Sequence, residues 1–187
     1  MRVITLAGSP RIPSRSAALL DLARHWLEAR DIVVSPWNLH NFAAEDLLYA
    51  RFDSPAIIRF GEQLAAADGL IVATPVYKAS FSGALKTLLD LLPERALENK
   101  VVLPLATGGT QAHMLAVDYA LKPVLSALKA QEILHGVFAD DSQIILNDQQ
   151  ATLAPPVEAR FAESLQSFMR ALGRNIHPGV RHHSVVT

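Results

Sequence analysis

Short apolar runs and amphipathic stretches alternate along this chain, and their spacing predicts a repeating order of strand, loop and helix. Residues 3–7 (VITLA) are a β-branched-rich run stopped by Gly8, the pattern of a parallel strand covered on both faces. After the polar stretch SPRIPSRS, residues 17–29 place Ala18, Leu19, Leu22, Ala23, Trp26 and Leu27 at helical spacing, with Asp21 and Arg24 between them. Residues 32–34 form a second β-branched run, and an irregular segment over 41–53 leads to a helix over 54–67. The pattern repeats with a strand at 69–73 (GLIVA) and a helix over 84–92. A fourth strand at 101–106 (VVLPLA), a helix over 113–130 and a fifth strand at 133–138 complete the alternation. Residues 140–156 are polar, end in a Pro pair and read as a loop, and a last helix over 157–172 carries Phe161, Leu165, Phe168 and Leu172 on one stripe.

Five strands interleaved with helices predict a doubly wound α/β fold around a five-stranded parallel sheet, because right-handed crossovers leave few other topologies. The expected strand order is 2-1-3-4-5. A chain of 187 residues fits one domain, read as residues 1–174, with 175–187 as a mobile tail. Pro104 is discordant: it stands inside the fourth strand, where it cannot donate to the ladder.

Composition narrows the chemistry by exclusion. A formal net charge of -1 gives no long-range field to draw in nucleic acid or an anionic membrane, so neither is expected as a partner. The chain has no cysteine, which removes disulfides and thiol redox centres; any redox chemistry has to come from a bound cofactor. The seven histidines are scattered without metal-ligand spacing, and no metal site is expected. The apolar run between Arg2 and Arg11 is too short for a signal segment or a membrane span, so the expected address is the cytoplasm.

In doubly wound sheets the ligand crevice lies beyond the carboxyl ends of the strands, which selects the loops after strands one, three and four. The first, residues 8–16, sets the hydroxyls of Ser9, Ser14 and Ser16 and the guanidinia of Arg11 and Arg15 at a helix start, a combination suited to a dianionic phosphate. Ser14 or Ser16 could instead be a plain helix cap. The loop has neither G-x-x-x-x-G-K-[ST] nor G-x-G-x-x-G, which leaves a mononucleotide phosphate. The second loop, residues 74–83, offers a rigid turn at Pro75 and an aromatic ring at Tyr77 to bracket a flat heterocycle; taken alone, it reads better as an ordinary connection with Tyr77 on the surface. The third, ATGGT at 106–110, strips side chains at Gly108 and Gly109 and allows close backbone approach, or simply a tight turn.

Three motifs together carry a family resemblance: LAGSPRIPSRS at 6–16, ATPVYKASFSGALKTLLDLLPE at 73–94 and LATGGTQAHMLAVDYALKPVLSALKA at 105–130. Over about residues 1–140 the chain resembles the NAD(P)H-dependent FMN reductases of the flavodoxin-like superfamily, most specifically the reductase component of bacterial two-component alkanesulfonate monooxygenase systems. The resemblance implies that Ser9, Arg11, Ser14 and Ser16 hold the FMN phosphate and that Pro75, Val76 and Tyr77 line the isoalloxazine. It also implies that Thr107, Gly108 and Gly109 border the pyrimidine end, with His113 as a neighbour. The superfamily often has Asn where this chain has Ser16, and Pro where it has Ser82.

The resemblance further implies a π-bulge at Tyr119, and steric reasoning leads the same way, since Pro123 clashes with the Tyr119 carbonyl and disturbs the helix there. A simple proline kink is the alternative. Family members are homodimers or homotetramers, and Leu85, Leu88, Leu89, Leu91 and Leu92 form an apolar surface wider than one core-facing stripe, which suggests a second covered face. Hydride transfer from nicotinamide to flavin needs no protein nucleophile, so no catalytic side chain is expected beyond ring positioning. The implied activity is NADPH-dependent reduction of FMN for a partner monooxygenase. The alternatives are an FMN-retaining quinone or azo reductase, and a non-enzymatic flavodoxin, which the near-neutral charge disfavours.

Overall fold

The computed structural model describes residues 1–147 and 151–176. Its main sheet is built from β1 (Arg2–Ala7), β2 (Val33–Asn38), β3 (Gly69–Tyr77), β4 (Ser80–Phe81), β5 (Val101–Gly108), β6 (Glu132–Ile133) and β7 (Val137–Asp140). The order is β2-β1-β3-β5, and the fifth place is shared by β6 and β7, which both pair parallel with β5. This is the doubly wound, flavodoxin-like path with its last strand in two pieces.

The helices are α1 (Arg15–Glu28), α2 (Ala44–Leu48), α3 (Pro55–Ala65), α4 (Gly83–Leu89), α5 (Lys122–Ala127) and α6 (Pro155–Ile176). Side chains alternate across a strand, so neighbouring residues serve opposite faces. Val3, Ile71 and Leu103 pack with Leu19 and Ala23 of α1 and Phe168 of α6. Ile4, Leu70 and Val102 pack with Phe60 of α3, Leu88 of α4 and Leu125 of α5. Each fully buried Leu, Ile or Phe contributes about 1.5–3 kcal/mol relative to exposure, and helices on both faces are what the bare apolar strands require.

The break in the fifth strand traces to Pro104. The Leu134 N–H donates to the Val102 carbonyl, so residues 102, 104 and 106 of β5 turn their backbone groups toward the fifth strand. Pro104 has no N–H to offer there. The neighbouring segment leaves the ladder at that point through Gly136, whose φ is +86°; a Cβ on it would lie 2.6 Å from the Pro104 carbonyl oxygen.

Other elements also differ from expectation. Strand three continues to Tyr77 and folds back as the β3–β4 hairpin, with Lys78 and Ala79 at φ 49° and 63° in the turn. That two-residue turn needs positive φ at both places, normally supplied by Asn-Gly, which is why Lys-Ala did not announce it. Instead of one helix over 113–130 the chain makes a 3-10 turn (Gln111–His113), a π turn (Val117–Leu121) and then α5. Tyr119 lies in the π turn, where the Lys122 N–H reaches back five residues to the Val117 carbonyl and Pro123 follows. The expected loop over 140–156 contains a 3-10 turn (Asp141–Gln143) and a hairpin, β8 (Ile144–Leu146) with β9 (Ala151–Leu153), whose Ile144 and Leu153 enter the core. Leu85, Leu88, Leu89, Leu91 and Leu92 are all buried within the single chain, so their breadth belongs to the core and gives no argument for a second covered face. Helix α6 runs on to Ile176; most of the expected tail, residues 177–187, lies outside the described residues.

Candidate active site

The carboxyl ends of β1, β3, β5 and β7 converge on a crevice of about 290 Å³. Ser9, Arg11 and Ser14 line one end of it, together with Pro13 and Arg15. Pro75, Val76 and Tyr77 form a second wall, and Thr107, Gly108 and Gly109 a third. Nine of the expected residues are thus brought together. Ser16 and His113 are not among the residues that line the crevice.

The loop after β1 is held by its own hydroxyls. Ser9 is buried, and its Oγ accepts from the Arg11 N–H at 3.1 Å. Ser14 caps α1, accepting from the Ala17 N–H at 3.3 Å, and its Oγ lies 2.8 Å from the Oγ of fully buried Ser16. Ser16 therefore supports Ser14 from behind the wall. The opening turn of α1 adds N–H groups that have no intrahelical partner, at the positive end of a fourteen-residue helix.

Two buried hydroxyls that sequence reasoning passed over tie this loop to the next. Ser82 Oγ donates to the Gly8 carbonyl at 2.5 Å and accepts from the Leu85 N–H at 3.1 Å as the cap of α4. The Ser82 N–H donates to Thr74 Oγ1 at 3.0 Å. Gly8 allows the approach: a Cβ there would stand 2.7 Å from Leu85 Cδ2. The position of Ser82, three residues before Leu85 and at a helix start, was the available signal.

At the third wall the two glycines have different reasons. A Cβ on Gly108 would meet the Phe138 ring at 3.1 Å, whereas one on Gly109 would meet nothing within 4 Å. Gly109 stands in the open at the crevice lip, and Tyr77, at the end of the neighbouring strand β3, is 43% exposed. His113 lies in a separate hollow of about 200 Å³ with Ala79, Leu115 and Tyr119, the last 79% exposed.

A fourth wall, Asp141 and Leu146, follows β7. The rule that selected the loops after strands one, three and four applies equally after strand five, but the strand's break hid its end. Asp140 pins this wall: its carboxylate accepts from the Ser142 N–H at 2.9 Å and from Gln111 Nε2 at 2.6 Å. The Ser142 hydroxyl also donates to this carboxylate at 2.5 Å, and that bond first and the Gln111 bond next hold the Asp140 carboxyl below the usual carboxylate range. Among the described residues no group of three or more His, Asp or Glu side chains is placed to hold a metal, and no helix is long and apolar enough to cross a membrane.

The fold is that of a flavodoxin-like oxidoreductase, with the crevice at the carboxyl ends of its strands. The family model for NADPH-dependent FMN reductase matches residues 1–144. The chain is 71% identical over 174 residues to an FMN reductase (NADPH) of Escherichia coli (strain K12), covering 93% of this chain and 91% of that one. It is 57% identical over 192 residues to an FMN reductase (NADPH) of Pseudomonas putida (strain KT2440), covering 100% and 98%. Among solved structures, an NADH:FMN oxidoreductase (EMOB) in its apo form superposes with a TM-score of 0.82 at 32% identity, over 91% of this chain and 89% of that one. The chain belongs to the NADPH-dependent FMN reductase family, and with membership go the enzyme activity and its two small molecules, FMN and NADPH.

The donor set fits FMN. Hydroxyls, two guanidinia and a helix N-terminus gather at one end for a phosphate, while the other end has a side-chain-free lip where a flat ring could lie.

Proposed function

We propose that this enzyme takes FMN as a dissociable substrate, reduces it with NADPH in preference to NADH, and passes the reduced flavin to a monooxygenase of the alkanesulfonate type, in sulfur acquisition. The observation that carries this reading is the open lip: Gly109 and half-exposed Tyr77 leave the ring end accessible from solvent on one side. A nicotinamide stacks from that side, and the flavin leaves by the same opening. Bound flavin supplies the hydride acceptor. Ser9, Arg11, Ser14, Arg15 and the first N–H groups of α1 would hold its phosphate, Pro75, Val76 and Tyr77 would orient the ring, and the backbone from Thr107 to Gly109 would face its pyrimidine end. The two relatives named as NADPH enzymes support the nucleotide preference. The reading includes a cytoplasmic location, where NADPH is made, and a homodimer or homotetramer that covers exposed Tyr119, Leu115 and Met114.

The test is steady-state NADPH oxidation by gel-filtered protein, with and without added FMN, after its visible spectrum is recorded. Colourless protein whose activity depends on added FMN supports the proposal. Yellow protein, indifferent to FMN but stimulated by quinone, overturns it in favour of a flavin-retaining reductase.

A further inference from the structure

One wall of the crevice carries a carboxylate beside the cations that would bind an anion. Asp141 opens the 3-10 turn after β7, and its Oδ2 lies 3.6 Å from Arg15 Nη1; both residues line the crevice. Arg15 is the first residue of α1, next to the cap Ser14, and lines the crevice with Ser9, Arg11 and Ser14, the residues read above as the phosphate end. The placement of Asp141 is built rather than incidental. The turn that carries it is tied down by Ser142 and Gln111 on the Asp140 carboxylate, and by Gln143 Oε1, which accepts from the Asp140 N–H at 3.1 Å. The two side chains are 42% and 49% exposed, and an ion pair that accessible is weak and exchanges readily.

We infer that Asp141 competes with the phosphate of FMN for Arg15, and that this competition sets how readily the flavin leaves. The inference rests on the reading of the crevice as an FMN site given above. A guanidinium serves a dianionic phosphate well only if it turns its N–H groups to it. Arg15 must therefore give up Asp141 when flavin enters, and recovers it when flavin departs. An enzyme that delivers reduced flavin elsewhere gains from such a weakened grip, whereas one that retains its flavin does not.

The experiment measures dissociation constants of FMN and riboflavin by quenching of flavin fluorescence, at fixed ionic strength, for the full chain and for Asp141→Asn, Arg15→Gln and the double variant. Riboflavin has the ring and no phosphate. The expected result is that Asp141→Asn tightens FMN about 2- to 5-fold, the range for removing a partly exposed competing pair. Riboflavin should not move, and the gain should vanish when Arg15→Gln is already present. Unchanged or weaker FMN binding by Asp141→Asn overturns the inference, since Asp141 would then be orienting Arg15 toward the phosphate. Equal shifts for FMN and riboflavin overturn it too, as does a gain that persists without Arg15. Equal affinity of the unaltered protein for FMN and riboflavin would instead sink the phosphate reading of the crevice itself.

Discussion

Just before β5, Lys100 is 5% exposed and its ammonium donates to the carbonyls of Ala65 and Ala67 at 3.1 and 2.9 Å; just after β5, Gly109 stands with nothing within 4 Å of where a Cβ would be. At the first end polar groups are closed by the chain itself. Lys100 engages carbonyls at the end of α3 and just beyond, and Asp68 accepts from the Arg2 N–H at 2.8 Å. Burial pushes the Lys100 amine below its ordinary range, with the Asp68 charge opposing that shift. At the second end hydroxyls and guanidinia gather around space. A polar group satisfied inside the fold is a stability device, and donors converging on an open crevice are a binding device. The two ends of one sheet should therefore fail in different ways.

The largest effect is expected at the open end. Gly109→Leu puts a side chain into the lip without touching the core, and Gly109 is not at positive φ, so the backbone accepts it. FMN affinity should fall on the order of 100-fold, about 2.7 kcal/mol, while the melting temperature stays put; fluorescence titration and a thermal melt check the two halves. A matching loss of stability would mean that the lip is structural.

The reverse pattern is expected from Lys100→Met. It strands two carbonyls beneath the sheet and should cost about 1–3 kcal/mol of stability. The dissociation constant for FMN should be unchanged, as read by chemical denaturation beside titration. Loss of flavin affinity in step with stability would break the separation of the two ends.

Legibility in the sequence followed the same division. Bare apolar strands such as 69–73 and the stripe of Phe161, Leu165 and Phe168 are dictated by burial, and they were readable because burial leaves a period. Of the candidate site, the loops after strands one, three and four could be located by topology, since glycines and hydroxyls mark strand ends. What escaped had no period to show. Ser82 bonds Thr74, eight residues away, and its hydroxyl makes a buried bond to the Gly8 carbonyl 74 residues back, a contact that exists only once the sheet has formed. Asp141 and Leu146 lie beyond a strand interrupted by Pro104 in its neighbour. The flaw at Pro104 was visible, but its consequence fell on another segment, 32 residues later at Gly136. The leucines of residues 85–92 misled in the other direction: a helix flanked by the sheet, α3 and α5 buries more than one stripe without any second chain.

The smallest effect concerns the wall after β7, where neither device is complete. The Asp140 carboxylate accepts from Ser142 and Gln111 while remaining open to solvent, so it belongs partly to the fold and partly to the crevice. Its pKa is lowered in the folded state, first by the Ser142 hydroxyl and then by Gln111. A carboxylate depressed on folding stabilises fully above its unfolded value, near 3.8, and that contribution disappears as pH falls through the lower folded value. Asp140→Asn should therefore lower the melting temperature by at most about 2 °C at pH 7, and the gap from the unaltered protein should close toward pH 3. Thermal melts of both proteins across that range test it. A gap that stays constant to pH 3 would mean that the ionised carboxylate is not what holds Gln111, and the fourth wall would then owe its position to Gln143, which bonds both Gln111 and the Asp140 N–H, and to the buried side chain of Ile144.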